Sequence, residues 1–215
     1  MCVLNYNLKI NLKKINVQFP RALHSLLRGL VWRKDSSEKV IYLTFDDGPV
    51  PEVTPLVLDI LDNYDLKATF FCVGENIEKY PDVYDEVLRR GHKTGNHTFN
   101  HLKGFSVSTT EYIENVLKAS EYIDSRLFRP PYGRITPKQL KLLKPRYEII
   151  MWDLITHDYN QNLSAQTIFR NVKNYARNGS IVVFHDSIKA RDNVLTVLPL
   201  AIEYLKNEGY SFGLL

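Results

Sequence analysis

Cysteine is scarce. The chain has two, Cys2 and Cys72, which supply neither a disulfide framework nor a metal-binding spacing. Cys72 lies in the apolar run Thr69-Phe70-Phe71-Cys72-Val73 and reads as a small buried hydrophobe. Long apolar runs are also missing. A membrane-spanning helix needs roughly 20 consecutive apolar residues, and the longest candidate near the start, Ala22 to Trp32, is broken by His24 and Arg28. Residues 1–20 contain no apolar stretch like the one that follows a basic start in a secretory signal. The expectation is a soluble protein of open location: cytoplasmic or membrane-peripheral by default, with export left open. A Pro/Gly/Ser linker and internal repeats are absent too. With 44% hydrophobic and 24% charged residues, the composition excludes a disordered tail, a collagen-like repeat and a coiled coil.

Charge is unevenly placed. The net charge is +4, yet the first 40 residues hold eight Lys/Arg against two Asp/Glu and the remainder is nearly balanced. Residues 1–36 are therefore expected to be a basic leader with a short docking segment, and residues 37–215 one domain. Such a leader is most simply a solvated lead-in, although it could touch an anionic membrane surface. No nucleic-acid partner is expected, and the oligomeric state is not readable.

After the leader, apolar strand-like runs alternate with helix-like segments. Val40–Phe45, Ala68–Val73, Leu127–Arg129, Tyr147–Trp152 and Ile181–Phe184 predict strands, with a last short one near Tyr210–Phe212. Helices are predicted from Thr54 as N-cap to Tyr64, from Pro81 to Gly91, after Ser108 and Thr136, from Ser164 toward Gly179, and over Val194–Glu208. Some seven strand-then-helix units with continuous apolar strands point to parallel pairing covered by helices. A closed or nearly closed β/α barrel is the first choice over an open doubly wound sheet. A barrel would place chemistry at the C-terminal ends of its strands.

Four polar constellations fall there. In Thr44-Phe45-Asp46-Asp47-Gly48-Pro49, two adjacent carboxylates leave a buried strand in different directions, so one can bind a metal while the other stays free beside it. An Asp-Gly-Pro turn accounts for them equally well. In His97-Thr98-Phe99-Asn100-His101, the i, i+4 spacing would put both imidazoles on one side of a helical turn, able to share a divalent ion with a carboxylate from Asp46 or Asp47. Arg129-Pro130-Pro131-Tyr132-Gly133 stiffens the backbone and could aim the Tyr132 N–H as an oxyanion donor, or simply form a rigid loop. His185, leaving Ile181-Val182-Val183-Phe184, could serve as a general acid or cap the next segment.

In order and composition these motifs resemble the polysaccharide deacetylases of carbohydrate esterase family 4, the nodulation-type chitooligosaccharide deacetylase homology domain. The resemblance runs from about Val40 to the C-terminus. It implies an α/β fold, a distorted (β/α)7 barrel, and metal-dependent hydrolysis of the amide in N-acetylated sugars such as those of peptidoglycan or chitin-like glycans. Residue by residue, Asp46 matches the catalytic base, and Asp47, His97 and His101 match the metal ligands. Arg129 matches the residue that holds the base, Tyr132 the backbone oxyanion donor and His185 the general acid. Zn2+ is the first expectation for the metal, with Co, Ni or Mn as alternatives. Pro130, Tyr132, Tyr159 and Val183 are expected against the substrate, the last two around the acetyl methyl.

One motif departs from the family. Its usual Asp-x-x-Asp-Trp, whose first Asp orients the acid histidine, aligns on Asp158-Tyr159 with Ile155 in the first slot and Tyr159 in place of Trp. Asp153, two residues before Ile155, is expected to take over as partner of His185, because residues two apart share a strand face. His157 is unmatched and expected to be exposed. Two other readings remain at this level. One is a deformylase or deacetylase for a lipid-linked amino sugar, with the leader at a membrane. The other is an inactive carbohydrate-binding barrel, for which only the Ile155 departure speaks.

Overall fold

The computed structural model describes residues 17–18, 29–34 and 37–215, so most of the expected basic leader lies outside the described residues. The chain enters through β1 (Leu30–Val31) and β2 (Val40–Asp46), followed by α1 (Thr54–Asn63) and β3 (Thr69–Cys72). Two short helices come next, α2 (Gly74–Lys79) and α3 (Pro81–Arg89), then β4 (Lys93–Asn96) and α4 (Thr109–Ala119). The second half runs β5 (Leu127–Phe128), α5 (Pro137–Leu143), β6 (Glu148–Ile150), β7 (Leu154–Ile155), α6 (Ala165–Tyr175), β8 (Ile181–His185), α7 (Arg191–Asn207) and β9 (Ser211–Phe212).

The strands lie in the order β1-β6-β5-β4-β3-β2-β8-β7, with β9 added beside β2, and every strand pairing is parallel. This parallel α/β arrangement is the distorted β/α barrel that the resemblance implies, where the alternating pattern alone predicts a closed or nearly closed one. Strands covered on both faces must be apolar throughout, and β3 and β8 are buried at every position. Phe45 of β2 stacks on Phe70 of β3 at 4.8 Å and on Phe184 of β8 at 6.0 Å. Val57, Leu58 and Leu61 of α1 and Val194, Val197, Leu198 and Ala201 of α7 join the same core. Among the described residues, no helix is long and apolar enough to cross a membrane.

Helix starts follow local chemistry. Ser108 Oγ accepts the Glu111 N–H, and Thr136 and Gln139 form a reciprocal capping box. Thr54 departs from its expected N-cap role. Val53 holds that position and Thr54 is the first helical residue, because the Thr54 hydroxyl donates to Asp186 Oδ2 at 2.6 Å and accepts the Val50 N–H at 2.8 Å. β4 and α2 carry no signal in the sequence pattern; Lys93-Thr94-Gly95-Asn96 has no apolar run.

Parallel register decides what meets at the rim. Asp46 pairs with Phe71 on one side and His185 on the other, and Asn96 pairs with Cys72 and Phe128. The residues following β2, β4, β5 and β8 therefore emerge together. Replacing Phe45 with Ala removes the ring at the centre of this arrangement and is expected to lower stability by about 3–5 kcal/mol, read from the urea midpoint at unchanged m-value.

Candidate active site

Arg129, which follows β5, is fully buried. Its Nη1 donates to Asp46 Oδ1 at 2.5 Å and to Thr44 Oγ1 at 2.9 Å, and its Nη2 donates to the Met151 carbonyl at 3.1 Å. The Phe71 ring lies beneath the guanidinium, 4.0 Å from Cζ. Burial pulls the Arg129 pKa down, and the Asp46 charge and hydrogen bond oppose that pull. Asp46 is thus held in place by a cation that has no access to water.

Asp47, His97 and His101 form a second cluster, their ligand atoms all within 4.8 Å of one another. Asp47 Oδ1 lies 3.2 Å from His101 Nε2 and 3.7 Å from His97 Nε2. The two histidines do not share a helical turn, as the i, i+4 spacing predicts. The segment is a loop with Thr98 at φ 67° and His101 at φ 57°, and these two left-handed residues fold the chain back on itself. The loop is tied down along its length. The Gly74 and Glu75 N–H groups at the start of α2 donate to the Thr98 and Phe99 carbonyls, Asn96 Oδ1 accepts from the Thr98 N–H, and Asn115 Oδ1 accepts from the Phe99 N–H.

The chemistry of this donor set suits a divalent cation. His97 Nδ1 is 2.7 Å from the Arg129 carbonyl. A carbonyl only accepts, so the proton sits on Nδ1 and the Nε2 lone pair faces Asp47. Burial pushes the His97 pKa down to about 4, against the opposing pull of Asp46, so the ring is neutral at ordinary pH, as a metal ligand must be. Burial also raises the Asp47 pKa, but the hydrogen bond from His101 and then the positive charge of His185 outweigh it and hold the group below the usual carboxylate range.

His185 stands across from this cluster with Asp158, not Asp153, as its partner. Its Nδ1 lies 2.7 Å from Asp158 Oδ1, and its backbone N–H donates to Asp158 Oδ2 at 2.7 Å. Burial lowers the His185 pKa, but Asp158, through charge and hydrogen bond, and then Asp47 and Asp46 raise it to about 9. The expected role of Asp153 is corrected by register. The Asp153 N–H bonds to the Ile181 carbonyl, at the opposite end of β8 from His185, about 13 Å away at about 3.3 Å per residue. There its carboxylate takes hydrogen bonds from Arg177, from Ser180 Oγ at 2.7 Å and from Gln18.

A cleft of about 880 Å³ opens over both clusters; Trp32, Tyr132, Trp152, Ile155, His157 and Tyr159 are among the residues that line it. Tyr132 sits at φ 59° and is 60% exposed, with its ring 4.8 Å from that of His101. Among the described residues no acceptor takes its backbone N–H. Pro130 and Val183 do not reach the cleft. Pro130 is buried and its carbonyl receives the Gly133 N–H. Val183 is buried one step below His185 on the same face of β8, and Ile155, paired with it in register, lines the cleft instead. His157 is half-buried and lines the cleft, whereas exposure was expected.

Besides Asp158, the sequence pattern leaves Asp186 without a role. Fully buried next to His185, Asp186 accepts the Gly48 N–H at 3.1 Å and the Thr54 hydroxyl at 2.6 Å, and its own N–H donates to the Asp46 carbonyl. A side chain at Gly48 would meet that carboxylate at 2.0 Å, so only glycine fits the turn after the paired aspartates.

A model of the polysaccharide deacetylase family matches residues 33–145. Over 191 residues the chain is 36% identical to a peptidoglycan-N-acetylglucosamine deacetylase of Bacillus cereus, with 85% of this chain and 89% of the relative covered. Over 166 residues it is 34% identical to a chitooligosaccharide deacetylase of Azorhizobium caulinodans, covering 74% and 79%. Among solved structures it resembles a peptidoglycan N-acetylglucosamine deacetylase crystallised with a naphthyl-substituted N-hydroxybenzamide, with a TM-score of 0.85 at 32% identity over 91% of this chain and 94% of that one.

The His185–Asp158 pair generates a titration test. In chelator-treated protein, Asp158→Asn should lower the His185 pKa from about 9, because burial then acts with less opposition. The sign for stability follows. A raised pKa in the folded state contributes stability that is full below 6.5 and lost as pH rises through about 9. NMR titration of the His185 ring and urea melts at the two ends of that window should show the loss in the parent protein and a smaller one in the variant.

Proposed function

The chain belongs to the polysaccharide deacetylase family, and from that membership we propose that it removes N-acetyl groups from the sugars of an N-acetylated glycan. The observation that carries this reading is one cleft with three unlike parts: Asp46 held by Arg129, the Asp47–His97–His101 cluster beside it, and His185 backed by Asp158. An amide is a poor electrophile with a poor leaving group, so its hydrolysis needs help at the carbonyl, at the water and at the nitrogen.

Asp47, His97 and His101 would hold a divalent ion, which supplies Lewis acidity toward the carbonyl and lowers the pKa of water from about 16 toward about 7. Two imidazoles and a carboxylate suit Zn2+ first, with Co, Ni or Mn as alternatives. The remaining work falls to the chain itself. Asp46 accepts the proton of the attacking water, and Arg129 fixes which way its carboxylate faces. The Tyr132 N–H donates to the oxygen on which negative charge develops, a contribution of roughly 2.7–4 kcal/mol for one such donor. His185, kept as imidazolium by Asp158, hands its proton to the departing amine nitrogen. Ile155 and Tyr159 form the adjoining wall of the cleft, suited to an acetyl methyl. With Asp158 supporting His185, the Ile155 departure no longer speaks for an inactive binding barrel. The names of the relatives favour peptidoglycan or chitooligosaccharide as the glycan.

Acetate release from N-acetylglucosamine oligomers and from peptidoglycan, with and without chelator, tests the reading. Asp46→Asn should cut turnover by roughly 100- to 10,000-fold while elemental analysis shows the metal retained. His97→Ala should lose both. Acetate release that persists after complete metal removal, or full activity in Asp46→Asn, overturns it.

A further inference from the structure

Tyr159 stands where the family usually shows tryptophan, and its ring ends in a hydroxyl that an indole lacks. That hydroxyl lies 2.9 Å from His157 Nδ1. The Tyr159 ring in turn meets His185 edge-on, with centroids 4.9 Å apart and planes at 78°. Asp158, between the two, points inward to His185 Nδ1 while His157 and Tyr159 both line the cleft. Two of three consecutive residues thus contact one imidazole, and the third bonds to one of those two. The backbone accomplishes this by placing His157 in the left-handed region at φ 66°, a conformation that costs a non-glycine residue energy and persists where surrounding contacts enforce it.

Tyr159 is 38% exposed. A partly exposed aromatic side chain on a turn can rotate between staggered wells unless its far end is tied. We infer that His157 is a positioning residue for the acid: its hydrogen bond anchors the Tyr159 hydroxyl, so that the ring stays as a wall against His185. The tyrosine and the histidine form one device, and a tryptophan at 159 would have no use for the histidine. The kinetic arm of the test rests on the deacetylase reading; the spectroscopic arm does not.

The experiment compares His157→Ala, His157→Gln, Tyr159→Phe and the His157→Ala/Tyr159→Phe double variant in the full chain, metal-loaded. Each alanine or phenylalanine single is expected to lower kcat about 3- to 10-fold, with KM and metal content unchanged. The double variant should match either single, and glutamine at 157, which can still bond the hydroxyl, should recover part of the loss. Multiplying losses, a rise in KM alone (the mark of direct substrate contact by His157) or parental kcat in His157→Ala each overturn the inference. Solvent exchange of the His185 ring N–H, followed by NMR, needs no turnover. It should be faster in both singles than in the parent, and an unchanged rate overturns the inference. If the parent releases no acetate while exchange responds as expected, the deacetylase reading fails and the positioning role stands.

Discussion

A guanidinium deprived of water is unstable unless its donors are satisfied, and Arg129 meets that demand with groups from several strands. Thr44 and Asp46 come from β2, the Ile150 and Met151 carbonyls come from the end of β6, and the Phe71 face comes from β3. Breaking such a buried pair by removing one partner leaves an uncompensated charge and typically costs about 3–5 kcal/mol. The same residue has a second hold on the site, since its backbone carbonyl receives His97 Nδ1. One residue therefore sets the direction of Asp46 with its side chain and the tautomer of the His97 imidazole with its main chain. The two carboxylates of Asp46-Asp47 can then serve different partners, because Arg129 claims the first and leaves the second to the histidines.

The rim above Arg129 consists of loops, and loops this exact need bracing. Of the six non-glycine residues at positive φ among the described residues, Asp47, His101, Tyr132 and His157 line the cleft and Thr98 lies between His97 and His101 in the chain. Strain collected in one place persists only where neighbours enforce it. Here the neighbours are side-chain amides and a buried carboxylate. Asp186 grips the turn after Asp47 through Gly48 and Thr54, Asn76 donates to the Asp47 carbonyl at 2.7 Å, and Asn96 and Asn115 grip the histidine loop. The helices contribute backbone groups from their termini to the same end.

The sequence makes the strands and the ends of the strands legible because both are written in local chemistry: apolar β-branched runs, then polar residues where cover stops. It is silent wherever position depends on register or on a φ angle. β4 escapes notice because it is polar, admitted to the sheet through Gly95, whose missing side chain leaves room for the Phe71 ring at 2.6 Å from where a Cβ would sit. His97 and His101 are correctly paired on a wrong premise: their spacing suggests a helix, and a doubly left-handed loop brings them together. The choice of Asp153 fails for the same kind of reason. The rule that residues two apart share a face says nothing about height along the barrel, and Asp153 lies at the level of Ile181 while Asp158 has climbed past β7 to the level of His185. His157 and Tyr159 flank Asp158 in the sequence, yet only the folded turn brings the Tyr159 ring against His185 and its hydroxyl to His157.

The contrast between His97 and His185 shows how one residue type is made to do two jobs. Both rings are buried, and burial alone disfavours the charged form of each. What separates them is the group at Nδ1. His97 faces a carbonyl, which accepts a hydrogen bond without carrying a full charge, so burial wins and the pKa falls to about 4. His185 faces the carboxylate of Asp158, a full negative charge with no exposure, and the balance reverses to about 9. A neutral ring presents a lone pair, and a charged ring presents a proton. Placing titratable groups so that their environments drive their pKa values apart is how one site holds base and acid together at the same pH. In this chain, whether the Nδ1 partner is a backbone carbonyl or a carboxylate decides which imidazole can bind a cation and which can give up a proton.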